Sequence, residues 1–176
     1  MIRVNDEIEN AALQQIAQKL CVAARTAPKG RGKDLLVTAI IDGEEKAELV
    51  AQMRLIAARD ELAFFARDAG NVELSPCIVF FASRKEPLGL PHCGFCGFED
   101  CGSMQAAGAL CSFNSGDLGI AVGSAVSVAT DHRVDNRIMY SAGKAALELG
   151  LLGDGVAIAF GVPLSATGKN PFFDRG

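Results

Sequence analysis

Cys77-Ile78-Val79-Phe80-Phe81-Ala82 is an unbroken run of six apolar residues, opened by Ser75-Pro76. A strand with one wet face alternates apolar and polar residues, whereas a short continuous apolar run fits a strand covered on both faces. Two further runs read as short strands: the β-rich 34–41, bounded by Asp42-Gly43, and 156–162. Helical patterns fill the spaces between them. Residues 5–24 place Ile8, Leu13, Ile16 and Leu20 at helical spacing, with Asn5 or Asp6 as the expected cap. A long Ala-, Glu- and Leu-rich pattern covers 44–68, and shorter ones cover 103–110, 116–130 and 136–151. Asp135 or Asn136 is the expected cap of the last of these. Helices around short, uniformly apolar strands predict an α+β domain over 1–176, with a short sheet sandwiched by helices.

Segment 84–112 does not fit that pattern. It is rich in proline and glycine and holds most of the cysteines, so it reads as a metal-binding loop inserted into the domain. Its core is His92-Cys93-Gly94-Phe95-Cys96-Gly97-Phe98-Glu99-Asp100-Cys101, with Cys111 ten residues further on. Two cysteines separated by two residues can bend around one metal or cluster corner, and a third after four residues closes the other side. Glycines beside them permit a tight backbone and let amide N–H groups approach the sulfurs, which tunes an iron–sulfur centre. Cys93, Cys96, Cys101 and Cys111 are therefore the expected ligands of an iron–sulfur cluster. Zinc held by the same four thiolates is the alternative, although zinc sites more often show two Cys-x-x-Cys knuckles. Cys21 and Cys77 read as small core residues, with Cys77 the substitute fourth ligand.

Composition narrows the remaining classes. The chain has 176 residues, a net charge of −4 and 49% hydrophobic residues. No basic field is present to draw nucleic acid or acidic lipid. Residues 1–20 lack the apolar core of a secretory signal, and no stretch is long enough to span a bilayer. A cytoplasmic setting is expected, where clustered thiols serve as metal or redox groups rather than disulfides. Two histidines and no nucleophile elbow leave hydrolysis without a constellation.

Several stretches together resemble the prokaryotic "ferredoxin domain-containing" proteins of undefined function: ARTAPKGRGKD (24–34), CGFCGFEDCG (93–102), DLGIAVGSAV (117–126), VDNRIMYSAG (134–143) and PLSATGKNPFFDR (163–175). That resemblance implies a [4Fe–4S] cluster and no defined reaction. The Cys-x-x-Cys-Gly-x-x-x-Cys run also resembles the cluster domain of corrinoid iron–sulfur proteins, whose fourth cysteine lies further downstream than Cys111. A second resemblance is architectural. The helix ending in AARTAPKGRG before a strand, the Asp117–Ala121 segment, and Gly161-Val162-Pro163 before the tail are similar to flavin nitroreductases. It implies a homodimer holding FMN at the subunit interface. The chain departs from that family in lacking an N-terminal Arg-Arg-Ser segment and an Asn-x-Gln-Pro-Trp run.

Arg25, Lys29, Gly30 and Arg31 belong to a basic loop that would contact a flavin or other phosphate, arginine through paired bonds and glycine through close backbone approach. The opposing reading is a charged connection between helix and strand. Small residues at Gly116, Gly119 and Gly123 predict a helix buried in the core, or packed against a flat cofactor or a second subunit. Phe172 and Phe173 are expected to dock on the domain or a partner. The function expected is electron transfer to a redox partner or small-molecule substrate, with FMN-dependent oxidoreductase chemistry fed by the cluster. The rival is a non-enzymatic protein stapled by zinc or a cluster.

Overall fold

The structure is a computed structural model and describes residues 2–173. It is an α+β fold with four antiparallel strands: β1 (Leu36–Ile41), β2 (Cys77–Arg84), β3 (Asp135–Asn136) and β4 (Val156–Ser165), ordered β1-β2-β4-β3. Among the described residues six α-helices surround them: α1 (Asp6–Thr26), α2 (Gly43–Arg59), α3 (Ala63–Leu74), α4 (Cys101–Ala106), α5 (Ser112–Asp131) and α6 (Tyr140–Glu148).

The opening run behaves as its composition demands. Successive residues of β2 point to opposite faces, so Cys77, Val79 and Phe81 enter one apolar core while Ile78, Phe80 and Ala82 enter the other. The first core is closed by α1 and α5 through Leu13, Leu20, Leu118 and Val122. The second is closed by α2, α3 and α6 through Met53, Ile56, Phe65 and Ala145. Burying each of Phe80 and Phe81 contributes up to about 3 kcal/mol, and both are fully buried. β2 pairs on both edges, with β1 (Ile41 opposite Ile78) and with β4 (Phe81 opposite Phe160). It is the centre of the molecule.

Two glycines let α6 lie directly on β4. A Cβ at Gly143 would overlap the Ala159 carbonyl, and one at Gly161 would press Ala142 and Ile78 at 2.8 Å. Met139 and Gly161 exchange backbone bonds of 2.8 and 2.9 Å beside this contact.

Four expectations need correction. The pattern over 44–68 is two helices, because Glu61 turns left-handed (φ 55°) and Leu62 N–H reaches back to the Ala57 carbonyl, ending α2. This break lets α3 return Phe65 and Val72 to the same core as α2. Asp135 and Asn136 do not cap a helix: they pair with Ser165 and Leu164 as β3, and α6 starts at Tyr140. Asn5 stands at the start of α1 without a side-chain cap bond. Gly116, Gly119 and Gly123 lie on the exposed side of α5, with nothing within 4 Å of a Cβ, rather than in the core. The tail divides: Phe172 is buried, while Phe173 is exposed beneath the Arg137 guanidinium, 5.4 Å from its ring centre. Residues 174 and 175 of the tail motif lie outside the described residues.

Candidate metal centre

The segment joining β2 to α5 carries the cysteine motif, and its geometry follows from local backbone chemistry. Gly94 and Gly97 adopt left-handed φ values of 62° and 83°, and Gly97 N–H bonds the Gly94 carbonyl at 2.9 Å. This tight turn holds Cys96, with Cys93 immediately before it. Asp100 then caps α4: its carboxylate accepts from Ser103 N–H at 2.7 Å, and Ser103 Oγ returns to the Asp100 backbone. The bond from Ser103 N–H holds the Asp100 carboxyl below its ordinary value. Cys101 is therefore fixed as the first residue of a capped helix. Gly108 ends that helix left-handed, and Ala109 N–H bonds the Met104 carbonyl. Cys111 follows at the position preceding α5.

Folding back in this way brings the last cysteine against the start of the loop, beside Lys85–Pro87. Leu88, Met104 and Cys111 form a small buried cluster, and Cys96, Phe98, Leu90 and Phe113 pack against it. Cys111 is buried, and Cys93, Cys96 and Cys101 are half-buried; all are free thiols. Phe95, between Cys93 and Cys96, is 76% exposed and stacks on Phe113 at 5.9 Å. Among the described residues, no three Cys, His, Asp or Glu side chains stand in place to hold a metal ion. The donor set has the soft-thiolate chemistry that suits iron–sulfur clusters and zinc, but its sulfurs are not drawn together around a common centre.

Cys77 occupies a different environment. It begins β2, whereas the loop leaves from Arg84 at the far end, about 23 Å away at the usual strand rise. Burial pushes its thiol up to about 11, helped by the Asp42 carboxylate and opposed by Lys46. A protonated thiol at that depth is a poor ligand. Burial likewise raises the Cys21 thiol.

The neck of the loop is fastened at several points. Asn114 Nδ2 donates to the Arg84 carbonyl at 2.8 Å and the Glu86 carbonyl at 2.9 Å. Lys85 Nζ crosses from the leading arm to the Gly108 carbonyl of the returning arm at 2.6 Å. Lys33 reaches the Pro87 carbonyl at 3.2 Å and the Glu86 carboxylate at 3.0 Å. A small open cleft lies beside Cys111, lined by Lys85, Met104 and Gln105.

The basic loop is engaged by protein groups. Arg25 bonds the Asp34 carboxylate and the Leu36 carbonyl, each at 2.8 Å. Burial raises the Asp34 carboxyl, but the bonds from Arg25 and Leu36 N–H and the charges of Arg25 and Lys29 bring it below its ordinary value. Lys29 Nζ is held by the carbonyls of Ala24, Arg25 and Ala27 at 2.7–3.1 Å. Gly30 N–H donates to Asp117 Oδ2 at 2.9 Å, and Arg31 donates to the Leu88 and Gly89 carbonyls. A phosphate at this loop would have to displace these partners. The polar connector after α5 is similarly engaged, with His132 bridging Lys19 Nζ at 3.0 Å and the Val128 carbonyl at 2.9 Å. The contacts of Asn114, Lys85 and Arg31 with the cysteine loop escaped the sequence reading. Their acceptors are backbone carbonyls up to 58 residues distant, which leave no mark on residue type.

Over 183 aligned positions the chain is 37% identical to an uncharacterized protein of Archaeoglobus fulgidus, covering 99% of this chain and 98% of that one. Residues 107–175 match the family described as "uncharacterized protein containing a ferredoxin domain (DUF2148)". The chain belongs to this family. The matched stretch includes Cys111 and begins after Cys101, whereas the A. fulgidus relative aligns along nearly the whole chain. Among solved structures, the fold is similar to an oxidoreductase containing FMN, with a TM-score of 0.59 and 16% identity over 88% of this chain and 67% of that one. It is also similar to the nitroreductase CinD from Lactococcus lactis in complex with nicotinic acid, with a TM-score of 0.61 and 10% identity over 98% and 86%. The fold of this ferredoxin-domain family member is thus nitroreductase-like. Among the described residues, no helix is long and apolar enough to cross a membrane.

Proposed function

We infer that the protein is an iron–sulfur electron-transfer protein whose [4Fe–4S] cluster is held by Cys93, Cys96, Cys101 and Cys111. The observation that carries this reading is the packing of Cys96 and Cys111 on one apolar cluster within the cysteine loop. The ferredoxin-domain family supports it. Bound there, the cluster would supply one-electron chemistry. The chain's own part is to hold four thiolates, to shield Cys111 from water and to leave the Cys93–Cys96 side facing solvent. The cleft beside Cys111 supplies a route for a redox partner or small-molecule substrate. A reducing cytoplasmic setting would keep the thiols free for this role.

FMN as a second cofactor is supported by the fold likeness to FMN-containing and nitroreductase proteins, which would make the protein a flavin-dependent oxidoreductase. Arg25, Lys29, Gly30 and Arg31 are the groups that would contact the FMN phosphate, which would replace the carbonyl and carboxylate partners they have now. A homodimer is supported by the exposed small-residue face of α5, against which a second backbone can approach closely.

Anaerobic purification followed by iron, sulfide, zinc and flavin analysis tests the assignment. The expected result is a brown protein with near-equal iron and sulfide and visible absorption that bleaches on reduction. A colourless protein carrying one zinc sinks the electron-transfer reading and supports the structural-staple alternative. Cys111→Ser should deplete iron while Cys77→Ser should not; the reverse outcome would reassign the fourth ligand.

A further inference from the structure

Arg31 sits between Gly30 and Gly32 with a left-handed backbone (φ 54°), a conformation uncommon for any residue but glycine. Its side chain explains its presence there. Nη1 donates to the Leu88 carbonyl at 3.2 Å and to the Gly89 carbonyl at 3.1 Å. Leu88 is buried in the cluster that contains Cys111 and packs Cys96, and Gly89 lies four residues before Cys93. Gly30 meets the same cluster from outside, since a Cβ there would press Leu88 Cδ2 at 2.5 Å and Phe113 at 3.4 Å. The other fastenings, from Asn114, Lys33 and Lys85, hold the leading arm between Arg84 and Pro87. Arg31 holds it beyond that point, next to the ligands.

We propose that Arg31 is a positioning residue for the cysteine loop: its guanidinium fixes the backbone at Leu88 and Gly89 and so sets where Cys93 and Cys96 meet Cys111. The proposal rests on the reading that these thiols hold a cluster. Arg31 touches no ligand and acts through the backbone it holds.

The backbone conformation supplies a discriminating variant. Glycine adopts the left-handed region freely, so Arg31→Gly removes the guanidinium and relieves the turn together. The full-length protein is compared as wild type, Arg31→Gly and Arg31→Lys, metal-free and after anaerobic reconstitution with iron and sulfide. Metal-free Arg31→Gly should melt within about 2 °C of wild type. Maleimide labelling of Cys93 and Cys96 should nevertheless quicken about tenfold, as expected for losing a charge-assisted hydrogen bond. In the reconstituted protein, iron release to a chelator should quicken and the reduced-state paramagnetic resonance spectrum should change. Lysine, which can still donate to these carbonyls, should restore most of both. Unchanged labelling, iron release and spectrum in Arg31→Gly overturn the proposal, as does a melting temperature lowered by more than about 5 °C, which would make the residue simply structural. Wild type that takes up no iron and sulfide overturns the cluster reading instead, and the metal-free labelling rates still decide whether Arg31 holds the loop.

Discussion

Asn114→Ala is expected to loosen the cysteine loop while leaving the sheet intact. Asn114 is buried at 4% exposure in the first turn of α5, and its amide nitrogen joins the Arg84 and Glu86 carbonyls. Each such bond contributes a net of about 1 kcal/mol, and a carbonyl left dry would cost more. Arg84 and Glu86 are exposed residues, and Ser83 Oγ already offers the Arg84 carbonyl a weaker partner at 3.4 Å. Water can thus recover part of the loss, and the substitution should cost about 2 kcal/mol. For a chain of this size that lowers the melting temperature by about 4–8 °C. Thermal unfolding followed by circular dichroism measures this directly, and urea unfolding with an unchanged m-value would show that only stability moved. Asn114→Asp should be worse, because a carboxylate would face two carbonyls without a proton to donate. A melting temperature within about 1 °C of wild type for both variants would refute the reasoning and show that the neck is held by its other ties.

Two further outcomes test the frame around the site. Gly143→Ala should cost about 3 kcal/mol or more, since its Cβ overlaps the Ala159 carbonyl and α6 must leave β4; an unchanged urea midpoint would contradict that packing. Stability should also fall in alkali through Cys77. Its folded thiol is raised to about 11, above the ordinary 9.0, so the folded state holds the proton more tightly. The contribution is intact below about pH 9 and is lost as pH rises from 9 through 11. Urea midpoints taken across that range should decline less steeply for Cys77→Ala than for wild type, and parallel profiles would count against the burial argument.

The sequence made the sheet legible because β2 has no polar residue between Cys77 and Ala82, leaving no face for water. The helix break at Glu61 was not legible, since a glutamate in a left-handed turn looks like any helix-forming residue. β3 was hidden for a related reason. Asp135 and Asn136 are poor strand formers, and only the reach of β4 to Ser165 recruits them. At the site, the motif singled out four thiols; Cys96 and Cys111 pack on one apolar cluster, while among the described residues no three candidate ligands stand together. The basic loop was legible as a cluster of charge but not as a set of clamps, because a cation bound to carbonyls and one awaiting a phosphate have the same letters.

The asymmetric placement of the cysteine loop relative to β2 has a practical consequence. Both apolar cores are built on β2 and the helices that flank it, and the cysteine loop begins only where that strand ends. Nothing in either core depends on the loop being filled, so an emptied protein should stay soluble, cooperative and spectroscopically native in the far ultraviolet. Yield and helical content therefore say nothing of occupancy. If a cluster is held there as proposed, a preparation made in air would pass every ordinary criterion of a good protein while lacking it.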